Sequence, residues 1–123
     1  MSKHHRLRAS KDFTTAVRNG RRVGSRTLVV HFLAADTNFD GDSDQSARIG
    51  FVVSRAVGGS VTRSRVARRL RHVARNHVEQ LPEGSLTVVR ALPASRNASS
   101  GDLERDLSFT LTKLGVLSAG DAA

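Results

Sequence analysis

Hydrophobic and polar positions change period several times along the chain, and each change predicts an element. Residues 10–19 carry Phe13, Ala16 and Val17 on one face at helical spacing. Ser10 is placed to cap this helix, Asp12 suits its first turn and Gly20 can end it. From 27 to 34 the pattern becomes alternation, with Leu28, Val30 and Phe32 on one side and Val29, His31 and Leu33 on the other. That is a strand covered to some degree on both faces. A second strand over 48–54 puts Ile49, Phe51 and Val53 on one face, and a third occupies 86–91, closed by Pro93.

Two longer helices follow from the same reasoning. One spans 61–80, ending before Pro82 and Gly84. The last runs over 101–114, with Leu103, Leu107, Leu111 and Leu114 on one face. Asp102 and Glu104 in its first turn and Lys113 in its last match the helix dipole. The stretch 36–46, holding Asp36, Asp40, Asp42 and Asp44, reads as an acidic loop. Residues 1–9 read as a basic flexible arm and 116–123 as a flexible tail. The order of elements predicts an α+β fold, and 123 residues suit a single domain rather than two independent cores.

Charge changes the picture. Twenty Lys and Arg oppose eleven Asp and Glu, for a formal charge of +9. Only Lys3, Lys11 and Lys113 are lysines; the other seventeen cations are Arg, whose planar fork suits phosphate. Such a charge attracts polyanions, nucleic acid first and an anionic membrane surface second. The absence of Cys excludes disulfides and thiolate metal sites and suits the cytoplasm. No apolar run is long enough for a membrane-spanning helix, and Met1 to Lys11 lacks the apolar stretch of a signal peptide.

The cations are not evenly spread. Between Gln45 and Val78 there is no acidic residue but there are eight Arg: Arg48, Arg55, Arg63, Arg65, Arg68, Arg69, Arg71 and Arg75. On a helical wheel, Val66, Ala67, Leu70, Val73, Ala74, His77, Val78 and Leu81 share one arc. Arg65, Arg68, Arg69, Arg71, His72, Arg75 and Asn76 share the other, with Arg63 at the edge. An ordinary solvated face mixes signs for mutual support. Unrelieved like charge on one face points instead to a polyanion partner. A second cluster, Lys3, Arg6, Arg8, Lys11, Arg18, Arg21, Arg22 and Arg26, is opposed only by Asp12. An arm of this kind suits a phosphate backbone, or simply aids solubility.

Candidate catalytic groups do not assemble. The loop aspartates lack the Gly and Glu placement of a calcium loop. His72 and His77 are five apart, off the spacing at which two histidines share a metal on one helix face. We assign no protein catalytic residue and no protein-held metal.

The run Ser54-Arg55-Ala56-Val57-Gly58-Gly59-Ser60-Val61-Thr62-Arg63-Ser64-Arg65-Val66-Ala67-Arg68-Arg69-Leu70-Arg71 resembles the signature of the bacterial ribonuclease P protein family. Arg6-Leu7 with Asp12-Phe13 and Gly20 resembles its N-terminal helix, Ile49 to Ser54 its central strand, and Val88 to Ala94 the strand before its last helix. The match extends over about residues 6–117. Ser64 stands where the family usually has Asn, Gly59-Ser60 where it has Asn-Ala, and Ala67 where Lys is common. A Ser hydroxyl donates or accepts but lacks the two-sided amide.

The resemblance implies a four-stranded mixed sheet packed with about three helices, related to an elongation-factor and ribosomal-protein domain. It implies a left-handed βαβ crossover, against the usual rule. It implies a protein subunit that assists a catalytic RNA, with Mg²⁺ held by that RNA and by substrate phosphates, in removing the 5′ leader from precursor tRNA. Arg55, Arg63, Ser64, Arg65, Arg68, Arg69, Arg71 and Arg75 would bind the RNA subunit. Phe13, Val17, Arg8 and Lys11 would bind the leader in a cleft between the first helix and the sheet, one protein to one RNA. Phe13 could stack on a base or belong to the core. A general RNA-binding module of ribosomal type is the alternative. A membrane-surface role fits less well, because the apolar arc of the basic helix lacks Trp and Phe.

Overall fold

The computed structural model describes residues 10–34 and 47–116. The basic arm with Arg8, the acidic loop of 36–46 and the tail beyond 116 lie outside the described residues. The chain order is α1 (Ser10–Asn19), β1 (Arg21–Gly24), β2 (Leu28–Leu33), β3 (Arg48–Val52), α2 (Ser60–Ala74), β4 (Leu86–Ala91) and α3 (Ser100–Lys113). Short 3-10 turns occupy Val78–Gln80 and Pro93–Asn97.

The four strands form one mixed sheet in the order β1-β2-β4-β3. β2 runs antiparallel to both β1 and β4, while β3 and β4 are parallel and joined through α2. Alternation sends Leu28, Val30 and Phe32 of β2, Val89 and Ala91 of β4, and Ile49 of β3 into the main core. There they meet Val66, Leu70, Val73 and Ala74 of α2 and Leu103, Leu107 and Leu111 of α3. The three α3 leucines are almost wholly buried. Each contributes about 1.5–3 kcal/mol of apolar burial. Among the described residues the opposite sheet face is covered by α1, through Ala16 on Val88, with Phe13, Val52 and Leu86 half-buried around them.

Three elements depart furthest from the sequence reading. β1 shows no pattern of its own, since Val23 is its single half-buried side chain; it exists because its backbone pairs with β2 from Arg21↔Phe32 to Gly24↔Val29. β3 stops at Val52 rather than at residue 54, leaving Val53 partly buried against the core and Ser54 exposed. The basic helix starts one residue early and stops at Ala74 instead of 80. Asn76 and His77 donate their N–H groups to Val73 and Ala74 in tightened i→i−3 turns. His77, Val78 and Leu81 are nevertheless buried as the wheel expected. The helix breaks so that His77 can turn to α3, where Nε2 lies 2.9 Å from both carboxylate oxygens of Glu104.

Local chemistry closes the other ends. Gly20 does more than terminate α1, because a Cβ there would lie 2.5 Å from the Ala16 carbonyl oxygen and 2.6 Å from that of Phe32. Only a residue without Cβ lets the chain turn this close to β2. Ser99 and Asp102 form a reciprocal capping box at the start of α3. At its end Gly115, at φ +81°, and Val116 return their N–H groups to Thr112 and Leu111. This is a Schellman closure, and Val116 packs on the core.

Candidate nucleic-acid interface

The structure presents two basic surfaces. The first is the outer arc of α2 with the turn before it. Arg55, Ser64, Arg68 and Arg75 are exposed, and Arg63, Arg65, Arg69 and Arg71 are half-buried. None of these arginines forms an ion pair among the described residues. Arg69 differs from the rest, because its Nη1 donates to the Ala98 carbonyl at 2.9 Å and ties α2 to the segment before α3. The Nε atoms of Arg63 and Arg65 are buried and unpartnered among the described residues.

The start of α2 adds to this surface. Gly59 precedes it in extended conformation without a side-chain cap, and no acidic residue occupies the first turn. The positive end of the helix dipole is therefore unopposed by a carboxylate. Ser60, Val61, Ser64, Arg65 and Arg68 line a shallow depression on this end. Val61 is 79 % exposed there, an apolar side chain among cations. Amide donors, hydroxyls and guanidinium forks together suit phosphate oxygens.

The second surface is the edge of the α1-covered sheet face. Val17 on α1 is 45 % exposed, whereas Phe13 sits half-buried on the cluster of Ala16 and Val88. Phe13 thus belongs in part to packing, and Val17 is the freer of the two. Lys11 stands on α1, with its side chain outside the described set, as Arg8 is altogether. The sheet beneath contributes Arg22 of β1, His31 of β2, and Val88 and Arg90 of β4, all on this face by strand alternation. Arg22 pairs directly with His31, and Arg90 pairs with Val29 two residues along the same strand.

His31 is buried, and among the described residues neither ring nitrogen has a hydrogen-bond partner. Burial first, then the guanidiniums of Arg22 and Arg90, hold its pKa below the usual histidine value of 6.5. The alternation of β2 had put His31 on this side; its two cationic neighbours became visible only once β1 was paired and β4 was registered. Among the described residues no group of three His, Cys, Asp or Glu converges as a metal site. No described helix is long and apolar enough to cross a membrane.

Comparison with known proteins shows the family and the fold. Residues 1–115 match the family model described as Ribonuclease P. A Nocardioides ribonuclease P protein component is 51 % identical over 116 residues, covering 94 % of this chain and 96 % of that protein. A Streptomyces griseus ribonuclease P protein component is 52 % identical over 112 residues, covering 89 % and 91 %. Among solved structures, the Staphylococcus aureus RNase P protein superposes with TM-score 0.73 at 20 % identity, covering 96 % of this chain and 95 % of that one. The Thermotoga maritima RNase P protein gives 0.68 at 24 %, covering 93 % and 98 %. These two likenesses concern the fold.

Proposed function

The chain belongs to the ribonuclease P protein family, and from that premise we propose that it binds both the RNA subunit and the 5′ leader of precursor tRNA. The observation that carries this reading is the unpaired arginine face of α2. A stable helix with like charges at i, i+3 and i+4, and no carboxylate to relieve them, is best explained by an anionic partner. The RNA subunit is the partner for Arg55, Arg63, Ser64, Arg65, Arg68, Arg71 and Arg75; Arg69 contributes from a position already held by Ala98.

The leader lies along α1, against Val17 and the sheet edge that carries Arg22 and Arg90, with Arg8 and Lys11 on its path. Backbone phosphates supply most of the affinity, and the apolar strip of α1 gives bases a surface to rest on. The chemistry, hydrolysis of the phosphodiester between leader and mature tRNA, takes place on the RNA with Mg²⁺ held by phosphates. The protein's part is to neutralise phosphate repulsion and to grip the leader, so precursor is favoured over product. One protein serves one RNA, in the cytoplasm.

The test is reconstitution. Mixed with a bacterial ribonuclease P RNA at low Mg²⁺, the protein is expected to restore precursor-tRNA cleavage, and alone to cleave nothing. Stimulation by the protein that is identical for leader-bearing and leaderless substrates, or no stimulation at all, would overturn the reading.

A further inference from the structure

The groups around His31 form an arrangement that phosphate neutralisation alone does not use. The residue is 96 % buried on the sheet face that α1 covers, with both ring nitrogens unpartnered among the described residues. Native structures rarely leave such a group without a role or an external partner. Two exposed arginines flank it on either side, Arg22 across the β1 pairing and Arg90 diagonally across the β4 pairing.

The remaining neighbours do not soften this field. From α1 come Phe13 and Ala16, and the only charged side chain among that helix's described side chains is the exposed Arg18. Val88 lies opposite His31 on β4. Arg48 shares the face two strands away, registered with Leu86. Asp12 of α1 has its side chain outside the described set; the carboxylates whose side chains are described belong to α3 and to the α2–β4 connection: Glu79, Glu83, Asp102, Glu104 and Asp106. Thus every described charge facing His31 is positive.

We propose that Arg22, His31 and Arg90 form a phosphate-linked proton site: a nucleotide phosphate seated against the two guanidiniums is bound together with a proton taken up by His31 from solvent. In the free protein burial and the two guanidiniums disfavour a third cation here and hold the His31 pKa below its ordinary value. An anion between the exposed arginines reverses the sign of the local field, which favours the imidazolium over the neutral ring. By linkage, affinity must then rise as pH falls, by at most about tenfold per pH unit for one proton. This inference rests on the reading of the α1–sheet cleft as a leader site, and it adds to that reading a dependence on proton concentration near neutrality.

The experiment uses the whole protein and a short single-stranded oligouridylate without terminal phosphates, whose bases and phosphodiesters do not titrate between about pH 5.5 and 8. The His31 ring is followed by NMR, assigned through its own backbone resonances, with and without the oligomer. Binding is measured in parallel at fixed salt for the wild type and for His31→Gln. The expected result is an upward shift of the His31 midpoint on binding, and a gain in affinity of about threefold from pH 8 to 6 that His31→Gln lacks. Binding with an unmoved His31 midpoint overturns the proton site and leaves the leader cleft standing. No perturbation of Val17, Arg22 or Arg90 by the oligomer overturns both.

Discussion

Asp106 on α3 accepts two hydrogen bonds from Thr27, one from its backbone N–H at 3.1 Å and one from its hydroxyl, across 79 residues of sequence. Thr27 is fully buried and Asp106 is 9 % exposed. The bond pair fixes the entry to β2 against the last helix. Asp106→Ala leaves two buried donors unsatisfied and is expected to lower stability by about 2–3 kcal/mol. Thr27→Val removes only the hydroxyl bond and should cost about 1 kcal/mol. Urea denaturation of both variants checks the order.

The arginines of α2 divide by their protein contacts. Arg65→Ala with Arg68→Ala should leave the melting temperature unchanged. The double variant should weaken binding to ribonuclease P RNA and reduce the slope of log K against log salt by about two. Arg69→Ala should behave differently, losing about 1 kcal/mol of stability with the bond to Ala98. Salt-dependent binding beside thermal melts separates the two classes; equal melting losses in all three positions would contradict the division.

On α1 the exposed and half-buried positions give contrasting expectations. Val17→Ala should reduce the preference for leader-bearing over mature tRNA with a stability change under about 0.5 kcal/mol, as for an exposed site. Phe13→Ala should reduce the same preference but also destabilise, by about 1–2 kcal/mol, because its ring rests on Ala16 and Val88. Precursor and mature tRNA affinities, with melts of each variant, test both.

The α3 capping box predicts an acid dependence. Hydrogen bonds from the Ser99 backbone N–H and side chain, aided by Arg105, hold the Asp102 carboxyl below its ordinary value of 3.8. Because the folded-state pKa is the lower one, this stabilisation is complete above 3.8 and fades as pH falls through the folded value. Asp102→Asn should therefore melt below the wild type at neutral pH and converge with it in stronger acid. Ser99→Ala should cost about 1 kcal/mol at neutral pH.

Much of this molecule is decided by local pattern. The period of apolar positions located α1, β2, β4 and α3 within about a residue or two, because each has one face that must leave water. The same pattern put Val66, Leu70, Val73 and Ala74 inside and Arg68 and Arg75 outside, so the basic surface was legible without coordinates. Tertiary structure alone decided the rest. β1 has almost nothing apolar to bury and is a strand only because β2 offers it a backbone edge. α2 ends at Ala74 because His77 finds Glu104 on a helix 27 residues away, a partner no local window contains. Arg69 and Arg68 share one arc of the wheel, and it takes the fold to show that Ala98 reaches only Arg69. The field at His31 is the same kind of fact: Arg90 is far from Arg22 and His31 in the chain, and sheet register makes the three neighbours.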